Sequence, residues 1–232
     1  MRRELSTIGV DASDVVARDG TNQCAVILID EHSGERAVLW DRDERLQLGE
    51  ADVPLDVLAS TRLLHVDDVD QPAAIRAARR ARELGVPVTS DLDRMTELSE
   101  ALVMAVTTPI FADGLPEQLT GERDHERALR KLRQRHDGVL CVTLGQHGAV
   151  ALDGDRFIIS PGFRVHAIDT TGSGDVFRGG FIYGLLNGWD VERTLRFANA
   201  AAALACTRLG AIAGVPDLNE VLAFEQTGER SC

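Results

Sequence analysis

The residues with the clearest chemical potential are Gly172-Ser173-Gly174-Asp175, where two glycines and an acidic residue precede an apolar run. The glycines leave the backbone free of crowding, and the apolar residues from Val176 onward have helical spacing. Unpaired N–H groups and the dipole at the start of such a helix favour an anion such as phosphate. The pattern therefore predicts phosphoryl transfer, with Asp175 as the base and the amides of Gly172, Ser173 and Gly174 as an anion hole.

A simpler interpretation of the same residues is a helix cap, in which Asp175 binds backbone N–H groups and the glycines only make a turn. When a G-x-G-D pattern occurs in isolation, we favour the helix-cap interpretation over the catalytic one. Two other glycine motifs are excluded. A dinucleotide-binding fingerprint needs Gly at the position of Phe177, and a Walker A loop needs Lys and Ser or Thr at the positions of Gly180 and Phe181.

The surrounding sequence changes this balance. Residues 169–181, D-T-T-G-S-G-D-V-F-R-G-G-F, resemble the C-terminal signature of the ribokinase-like (PfkB) carbohydrate kinases, which usually reads D-T-x-G-A-G-D-x-F. In that family the second Asp is the catalytic base and the G-x-G amides bind the charge, which assigns these roles to Asp175 and residues 172–174. The resemblance implies ATP-dependent phosphorylation of a sugar or sugar-like hydroxyl, with Mg²⁺. Ser173 replaces the usual Ala and keeps the backbone amide.

The resemblance extends to the nucleotide side of the site. Residues 143–149 are similar to the family's T-x-G-x-x-G-A turn, which implies nucleotide contacts from Thr143, Gly145 and Gly148. It also places Asn199, on an Ala-rich helix, against the adenine, although an Asn there equally suits a hydrogen bond to a loop carbonyl. Gly210 falls in a nucleotide-side loop. In some relatives this loop binds a monovalent cation such as K⁺ together with the first Asp of the signature, here Asp169.

Residues 1–48 are predicted to be mainly β structure, with strands at 23–29 and 36–40 separated by the polar residues 30–35. In the resembled family such strands form a small lid over the sugar and often the contact between two copies. This implies a homodimer through the lid and substrate contacts from Asn22, with Gln23, Trp40 and Arg42 as further candidates. A polar residue on a hairpin is nevertheless more often simply solvated.

From residue 49 onward, strands and helices alternate. Strands at 63–66 and 86–90 around a helix at 71–84 indicate βαβ units and a parallel sheet. Further strands are predicted at 101–110 and 139–144, and helices at 125–134 and 191–207. The predicted fold is α/β: a ribokinase-like three-layer αβα sandwich with a mostly parallel sheet over residues 49–232, plus the small β lid.

Acidic residues follow the first two strands of this sheet, where the carboxyl ends of parallel strands collect ligands. Asp67-Asp68 follows one strand and Asp91-x-Asp93-Arg94 the next. Asp67 is the predicted substrate ligand among them, since a carboxylate there suits a sugar hydroxyl or hydrated Mg²⁺. Acidic loop residues are more often only solvated.

The sequence departs from the family pattern in two places. Ala112 and Leu115 occupy the positions of an N-x-x-E motif that helps to place Mg²⁺ in many members, so Asp113 or Glu117 are the available substitutes. Nothing before residue 23 matches the usual opening strand and Gly-Gly segment. This predicts a truncated or miscalled start at Met1 and a sheet with an unpaired edge, and it puts the activity of the chain as written in question.

The amino-acid composition argues against several classes of partner and of site. A chain of 232 residues that is 44% apolar and 27% charged suits a soluble domain with one substantial core. Its net charge of −12 argues against a nucleic-acid partner. The four cysteines show no C-x-x-C spacing, so neither a zinc site nor a disulfide framework is expected. No apolar run has membrane-spanning or secretory character, which predicts no membrane partner and a cytoplasmic location.

Two other functions stay open. The missing opening segment and the absent N-x-x-E motif also fit a non-catalytic nucleotide- or sugar-binding protein, although the intact Asp175 argues against it. An inactive truncated kinase is the other alternative. A kinase of a vitamin precursor such as a hydroxymethylpyrimidine would share the fold. The lid-like hairpin favours sugars.

Overall fold

The computed structural model describes residues 2–29 and 36–228. After a short helix, α1 (Arg2–Thr7), strands β1 (Cys24–Ile29) and β2 (Arg36–Asp41) pair antiparallel, with Cys24 opposite Asp41 and Ile29 opposite Arg36. The predicted hairpin is therefore confirmed. The polar stretch predicted to separate the strands, residues 30–35, lies outside the described residues.

The main sheet has six strands in the order β3-β4-β5-β6-β7-β8. They are β3 (Leu64–Val66), β4 (Val88–Leu92), β5 (Thr108–Ala112), β6 (Leu140–Thr143), β7 (Ala149–Asp153) and β8 (Arg156–Ser160). Strands β3 to β6 are parallel to one another, whereas β7 and β8 are antiparallel. The mostly parallel sheet predicted from the alternating pattern is therefore present.

Seven helices accompany this sheet within the described residues: α2 (Gln71–Glu83), α3 (Ser99–Ala105), α4 (Leu115–Thr120), α5 (His125–Arg133), α6 (Ser173–Leu186), α7 (Val191–Ala205) and α8 (Leu218–Thr227). Three of them begin after an Asp whose carboxylate accepts the N–H group of the third helical residue, an N-cap that fixes where the helix starts. The capping residues are Asp124 for α5, Asp190 for α7 and Asp217 for α8.

The sheet is packed on both faces, as alternation along its central strands shows. In β6, Leu140 and Val142 belong to the core shared with α2, α3 and α5, while Cys141 belongs to the core shared with α6 and α7. Strand β7 divides in the same way, with Leu152 on the first face and Ala151 on the second. Helices thus cover both faces. This arrangement confirms the three-layer αβα sandwich.

The strand predicted at 101–110 is wrong over most of its length. Residues 99–105 form helix α3, and strand β5 begins only at Thr108. Leu102, Val103 and Ala105 are buried in the helix and Ile110 is buried in the strand. Because both elements are buried, the stretch reads as one continuous apolar run, and periodicity does not separate a short helix from a strand in such a run.

Strand β3 forms one edge of the main sheet. Among the described residues it pairs only with β4, through the register Leu64 to Val88. The unpaired edge expected from the sequence is thus seen in this part of the chain. Over the same described ranges, none of the helices has the length and apolar character needed to cross a membrane.

Candidate functional site

The glycine turn before α6 has the conformation that the sequence predicts. Gly172 has φ +77°, in the left-handed region that favours glycine, and it is the residue immediately before the helix. A Cβ atom at Gly172 would lie 2.8 Å from the Cβ atom of Ala211, so the turn also packs directly against the loop that follows α7. Two separate constraints therefore require glycine at this position.

Asp175 lies in the first turn of α6 and points to solvent. Its side chain is exposed, and among the described residues it has neither a hydrogen-bond nor an ion-pair partner. The helix has no side-chain cap at Gly172. Within the same residues, Ser173 N–H donates to the Thr170 carbonyl at 3.2 Å, whereas no backbone carbonyl accepts the N–H groups of Gly174 or Asp175. The Ser173 amide predicted for the anion hole is thus already paired within the chain. The capping interpretation of Asp175 is therefore wrong, and two donors are left beside an unpaired carboxylate.

A buried arginine lies one helical turn beyond Asp175. Arg178 is 6% exposed, and its Nη2 atom forms ion pairs with Asp91 and, at 3.0 Å, with Asp93. These two acidic residues come at the carboxyl end of β4 and just after it. Burial raises the pKa of Asp91 to about 8, with Arg178 opposing the shift and the carboxylates of Asp93 and Asp175 adding to it. Asp175 therefore lies close enough to the end of β4 to act electrostatically on Asp91.

Asp68 organises the loop after β4. Its Oδ2 atom accepts the N–H groups of Asp93 and Arg94, both at 2.8 Å, and its Oδ1 atom accepts from the Arg94 guanidinium at 3.1 Å. Burial lowers the pKa of nearby His65; Arg178 acts in the same direction, while the carboxylates of Asp67 and Asp175 oppose it. The carboxyl ends of β3 and β4 thus converge with the start of α6, as the topology requires.

Asp169 joins the two loops on the other side of the glycine turn. It is 8% exposed, its Oδ1 atom accepts the N–H group of Thr171 at 2.8 Å, and its Oδ2 atom accepts that of Gly210 at 2.9 Å. Gly210 has φ +94°. The structure therefore brings together the two residues that the resemblance linked to a monovalent cation, and it shows Asp169 bridging their loops.

Contacts within the chain itself explain why the turn after β6 is tight. Thr143 Oγ1 donates to the Phe111 carbonyl at 3.3 Å, and Gly145 has φ +56° with open space where a Cβ atom would lie. At Gly148 a Cβ atom would approach the Ser160 carbonyl oxygen at 2.2 Å. The close backbone approach at Gly148 is therefore made to the chain itself, and the nucleotide contacts of these three residues stay a prediction.

Of the two contacts predicted for Asn199, the adenine and a backbone carbonyl, the structure shows the carbonyl. Its side chain is 5% exposed, and its Nδ2 atom donates to the Ser160 carbonyl at 2.9 Å and to the Ser160 hydroxyl at 3.0 Å. Asn199 thus satisfies a carbonyl at the end of β8. Any effect on a nucleotide would pass through that strand.

The lid residues differ in how firmly they are held. Arg42 forms a bidentate ion pair with Asp70, with Nη1–Oδ1 and Nη2–Oδ2 distances of 2.9 and 2.7 Å. Trp40 is half exposed, and the Arg94 guanidinium lies 5.6 Å from its ring centroid. Asn22 and Gln23 are exposed. Arg42 therefore anchors the hairpin to the start of α2, and Trp40 connects it to the loop after β4.

Asp67, the predicted substrate residue next to this loop, is exposed, and its Oδ1 atom accepts the Val69 N–H group at 3.0 Å. The proposed metal substitutes are engaged elsewhere: Asp113 pairs with His125 at 2.9 Å and Glu117 with Arg123 at 3.1 Å. Within the described ranges, no cluster of three or more His, Cys, Asp or Glu residues could hold a metal ion.

The model of the pfkB family of carbohydrate kinases matches residues 1–218. This chain belongs to that family. The ATP-dependent ribose-1-phosphate kinase of Halopiger xanaduensis is 32% identical over 227 residues, covering 96% of this chain and 74% of that protein. A ribokinase of Haemophilus influenzae is 34% identical over 153 residues, covering 64% of this chain and 50% of that protein.

Solved structures give the same assignment. A crystal structure of a ribokinase candidate from Agrobacterium tumefaciens superposes with a TM-score of 0.89 at 29% identity, covering 97% of this chain and 75% of that one. The ribokinase-like fold predicted from the sequence is confirmed. The chain is a carbohydrate kinase of the pfkB family.

Two residues at the centre of this kinase site were missed by sequence reasoning. Arg178 falls in the middle of the family signature, where attention goes to the glycines and Asp175. A charged residue inside the apolar run of α6, three positions after Asp175, is the signal that could have found it. His65 lies within a three-residue strand and offers no such signal.

Proposed function

We propose that this pfkB family protein transfers the terminal phosphate of ATP to a hydroxyl group of a sugar or sugar-like compound, with Asp175 as the general base. The observation that carries the proposal is the exposed, unpartnered carboxylate of Asp175 next to the unpaired N–H groups of Gly174 and Asp175. If Asp175 only capped the helix, its carboxylate would accept hydrogen bonds from these N–H groups. Their availability suits a reaction that removes a proton and gathers negative charge at one place.

The steps follow from this arrangement. The acceptor hydroxyl gives its proton to Asp175 as its oxygen attacks the terminal phosphorus, and the bond to the leaving phosphate of ATP breaks. The amides at the start of α6 and the dipole of this 14-residue helix stabilise the charge on the transferred group.

Mg²⁺ bound to the ATP phosphates would neutralise part of their charge. Mg²⁺ usually keeps several waters and takes only one or two carboxylates, so a site without a cluster of three ligands among the described residues is compatible with it.

The nucleotide is proposed to lie on the side of the glycine turn that contacts the loop after α7. Apolar side chains there are open to solvent: Ile168 is 56% exposed, Leu209 72% and Ile212 90%. Ala211, which contacts Gly172, places these side chains beside the anion hole. An apolar wall next to a phosphate site suits a purine base.

Other residues have supporting roles in this proposal. Thr143, Gly145 and Gly148 form the turn at the end of β6 that would border the nucleotide, and Asn199 supports the neighbouring strand. Asp169 and Gly210 would share a monovalent cation such as K⁺, which would order the two loops that they already connect.

The acceptor is proposed to lie between the ends of β3 and β4 and the β1–β2 hairpin, with Asp67 and Asn22 as ligands of its hydroxyl groups. Residues 49–232 would act as the catalytic core and residues 1–48 as the lid. Because the relative from Halopiger xanaduensis is named for a phosphorylated sugar, sugar phosphates belong among the acceptors to be tested.

The hairpin is also the proposed contact between two copies of the chain. Val26, Leu28, Leu39 and Trp40 are 49% to 63% exposed. Monomeric proteins rarely present so many large apolar side chains on so small an element, and such patches commonly mark interfaces. A second hairpin packed against this one would cover them.

The test is ADP release from Mg-ATP in the presence of a panel of pentoses, hexoses, nucleosides and sugar phosphates. Asp175→Asn keeps the shape of the side chain but removes the base, and loss of a general base lowers kcat by about 10²- to 10⁴-fold. Glu192→Gln is the matched control, since Glu192 is an exposed acidic residue in the first turn of α7. We expect the control to keep the wild-type rate.

Two results would contradict the proposal. Equal turnover by wild type and Asp175→Asn would show that Asp175 is not the base. Nucleotide binding without turnover of any acceptor would favour the alternative of a non-catalytic nucleotide- or sugar-binding protein.

A further inference from the structure

Arg178 is an unusual residue to find inside this fold. Among the described side chains it is the only buried arginine or lysine, with 6% of its surface exposed. Taking a guanidinium group out of water is costly unless carboxylates and hydrogen bonds compensate for the lost hydration. Both of its ion-pair partners, Asp91 and Asp93, come from β4 and the loop after it, not from its own helix.

The Arg178 side chain runs back toward the glycine turn. Side chains on a helix point toward its N-terminus, and residues three apart share a face, so Arg178 lies beneath Asp175. A Cβ atom on Gly174 would lie 2.6 Å from Arg178 Nη1. Unlike Gly172, Gly174 does not have a positive φ. A side chain at 174 would therefore displace the guanidinium from its place between the first turn of α6 and the loop after β4.

The other end of the contact is equally constrained. Asp93, which accepts from Arg178 Nη2 at 3.0 Å, has its own N–H group held by the buried Asp68. The neighbouring Arg94 is held by the same carboxylate. The guanidinium therefore connects the first turn of α6 to the loop after β4. Asp68 holds that loop from its other side.

We propose that Arg178 is a positioning residue for phosphoryl transfer, which sets the base Asp175 and the amides of the glycine turn at a fixed distance from the acceptor side of the site. This inference rests on the proposed function. The planar fork of arginine reaches both carboxylates and Gly174 at once, which the single ammonium of lysine does not do. Without the fork, α6 and the loop after β4 would move independently, and base and hydroxyl would lose their alignment.

Misalignment of this kind affects the transition state more than ground-state binding. A displacement of about 1 Å in reacting groups lowers the rate by about 10²-fold. We therefore expect Arg178→Gln to lower kcat by about a hundredfold with little change in the KM for ATP. Arg178→Lys keeps the charge and loses the fork, so it should recover part of the rate, to within about tenfold of wild type.

The experiment measures kcat and KM on the acceptor that wild type uses best, at a temperature where each variant is folded. Arg196→Gln is the control, because Arg196 joins α7 to α8 through a 2.6 Å ion pair with Glu225, whose side chain is 5% exposed. This control should lose thermal stability and keep kcat. Asp93→Asn removes one partner of Arg178 from a side chain that is 54% exposed. It should lower kcat even if Arg178→Gln fails to fold.

The outcomes separate the two proposals. Wild type that turns over no acceptor overturns both. If wild type is active and Arg178→Gln or Asp93→Asn lowers only the unfolding temperature, with kcat unchanged as in Arg196→Gln, Arg178 is merely structural and this inference is wrong. A selective loss of kcat that Arg178→Lys partly restores supports the positioning role.

Discussion

The contact between α6 and α7 gives a prediction that the structure makes quantitative. An alanine methyl group at Gly184 would lie 2.6, 2.8 and 3.0 Å from the Oγ1, Cγ2 and Cβ atoms of Thr194. Favourable contacts between such atoms are about 3.5–4.0 Å long, so the overlap is about 1 Å. Thr194 is fully buried on α7, so it cannot relieve the overlap by turning into solvent. Gly184→Ala should therefore push the two helices apart.

Gly179, on the same helix, provides the control. It is exposed, and a Cβ atom there would meet nothing within 4 Å. Both substitutions gain about 1 kcal/mol of helix propensity, so their difference isolates the overlap. Overpacking costs about 1–3 kcal/mol. For a chain of this size each kcal/mol shifts the Tm by about 2–4 °C, so Gly184→Ala should melt about 2–12 °C below Gly179→Ala.

Thermal unfolding followed by circular dichroism measures this difference, and a double-mutant cycle tests its cause. Thr194→Ala removes the two atoms nearest to the new methyl group. The combination Gly184→Ala/Thr194→Ala should therefore be more stable than the sum of the single changes predicts, by about 1 kcal/mol or more. Equal Tm values for Gly184→Ala and Gly179→Ala, or strictly additive effects in the cycle, would refute the close packing described here.

Two further predictions concern charged residues. Arg42→Gln leaves the buried Asp70 without its bidentate partner and should cost about 1–3 kcal/mol of stability. In the control Arg45→Gln, the replaced side chain is 62% exposed, and the loss should be less than about 1 kcal/mol. Equal losses of stability in urea unfolding would contradict this prediction. Asp91 has a folded-state pKa raised to about 8, so its stabilising contribution is fully present below about pH 4 and is lost as pH rises through 8. The Tm of Asp91→Asn should therefore rise relative to wild type between about pH 5 and about pH 9; a constant difference would show that the carboxyl is not perturbed.

Much of the fold could be predicted because local sequence signals agreed with the global topology. The alternation around α2 and the continuous apolar run of β6 each indicated the element that the structure contains. The start of helix α6 was also predictable, because Gly172 is required by its backbone conformation and Asp175 follows at a fixed spacing. These features depend on residues that are close together in the chain.

The remainder depends on residues that are far apart. Helix α3 was mistaken for a strand because its apolar face and the following strand are buried together. The group formed by Arg178, Asp91 and Asp93 joins positions 85 to 87 residues apart, and no local pattern specifies which acidic loop faces which helix. Asn199 illustrates the same limit. Its type allowed two partners, and only the position of β8 decides between them.

The glycines of the family signature have different structural roles. Gly172 adopts a left-handed conformation against the loop after α7, and Gly174 gives space to a buried guanidinium. Gly180 lets α7 approach closely, as does Gly184, which follows the signature on the same helix. Gly179 meets nothing. The first four contacts fix α6 on three sides: toward the nucleotide loop, toward the end of β4 and toward α7. In the proposed mechanism only the free amides at the start of α6 act on phosphate, so most of the motif would serve to hold the helix that carries the base.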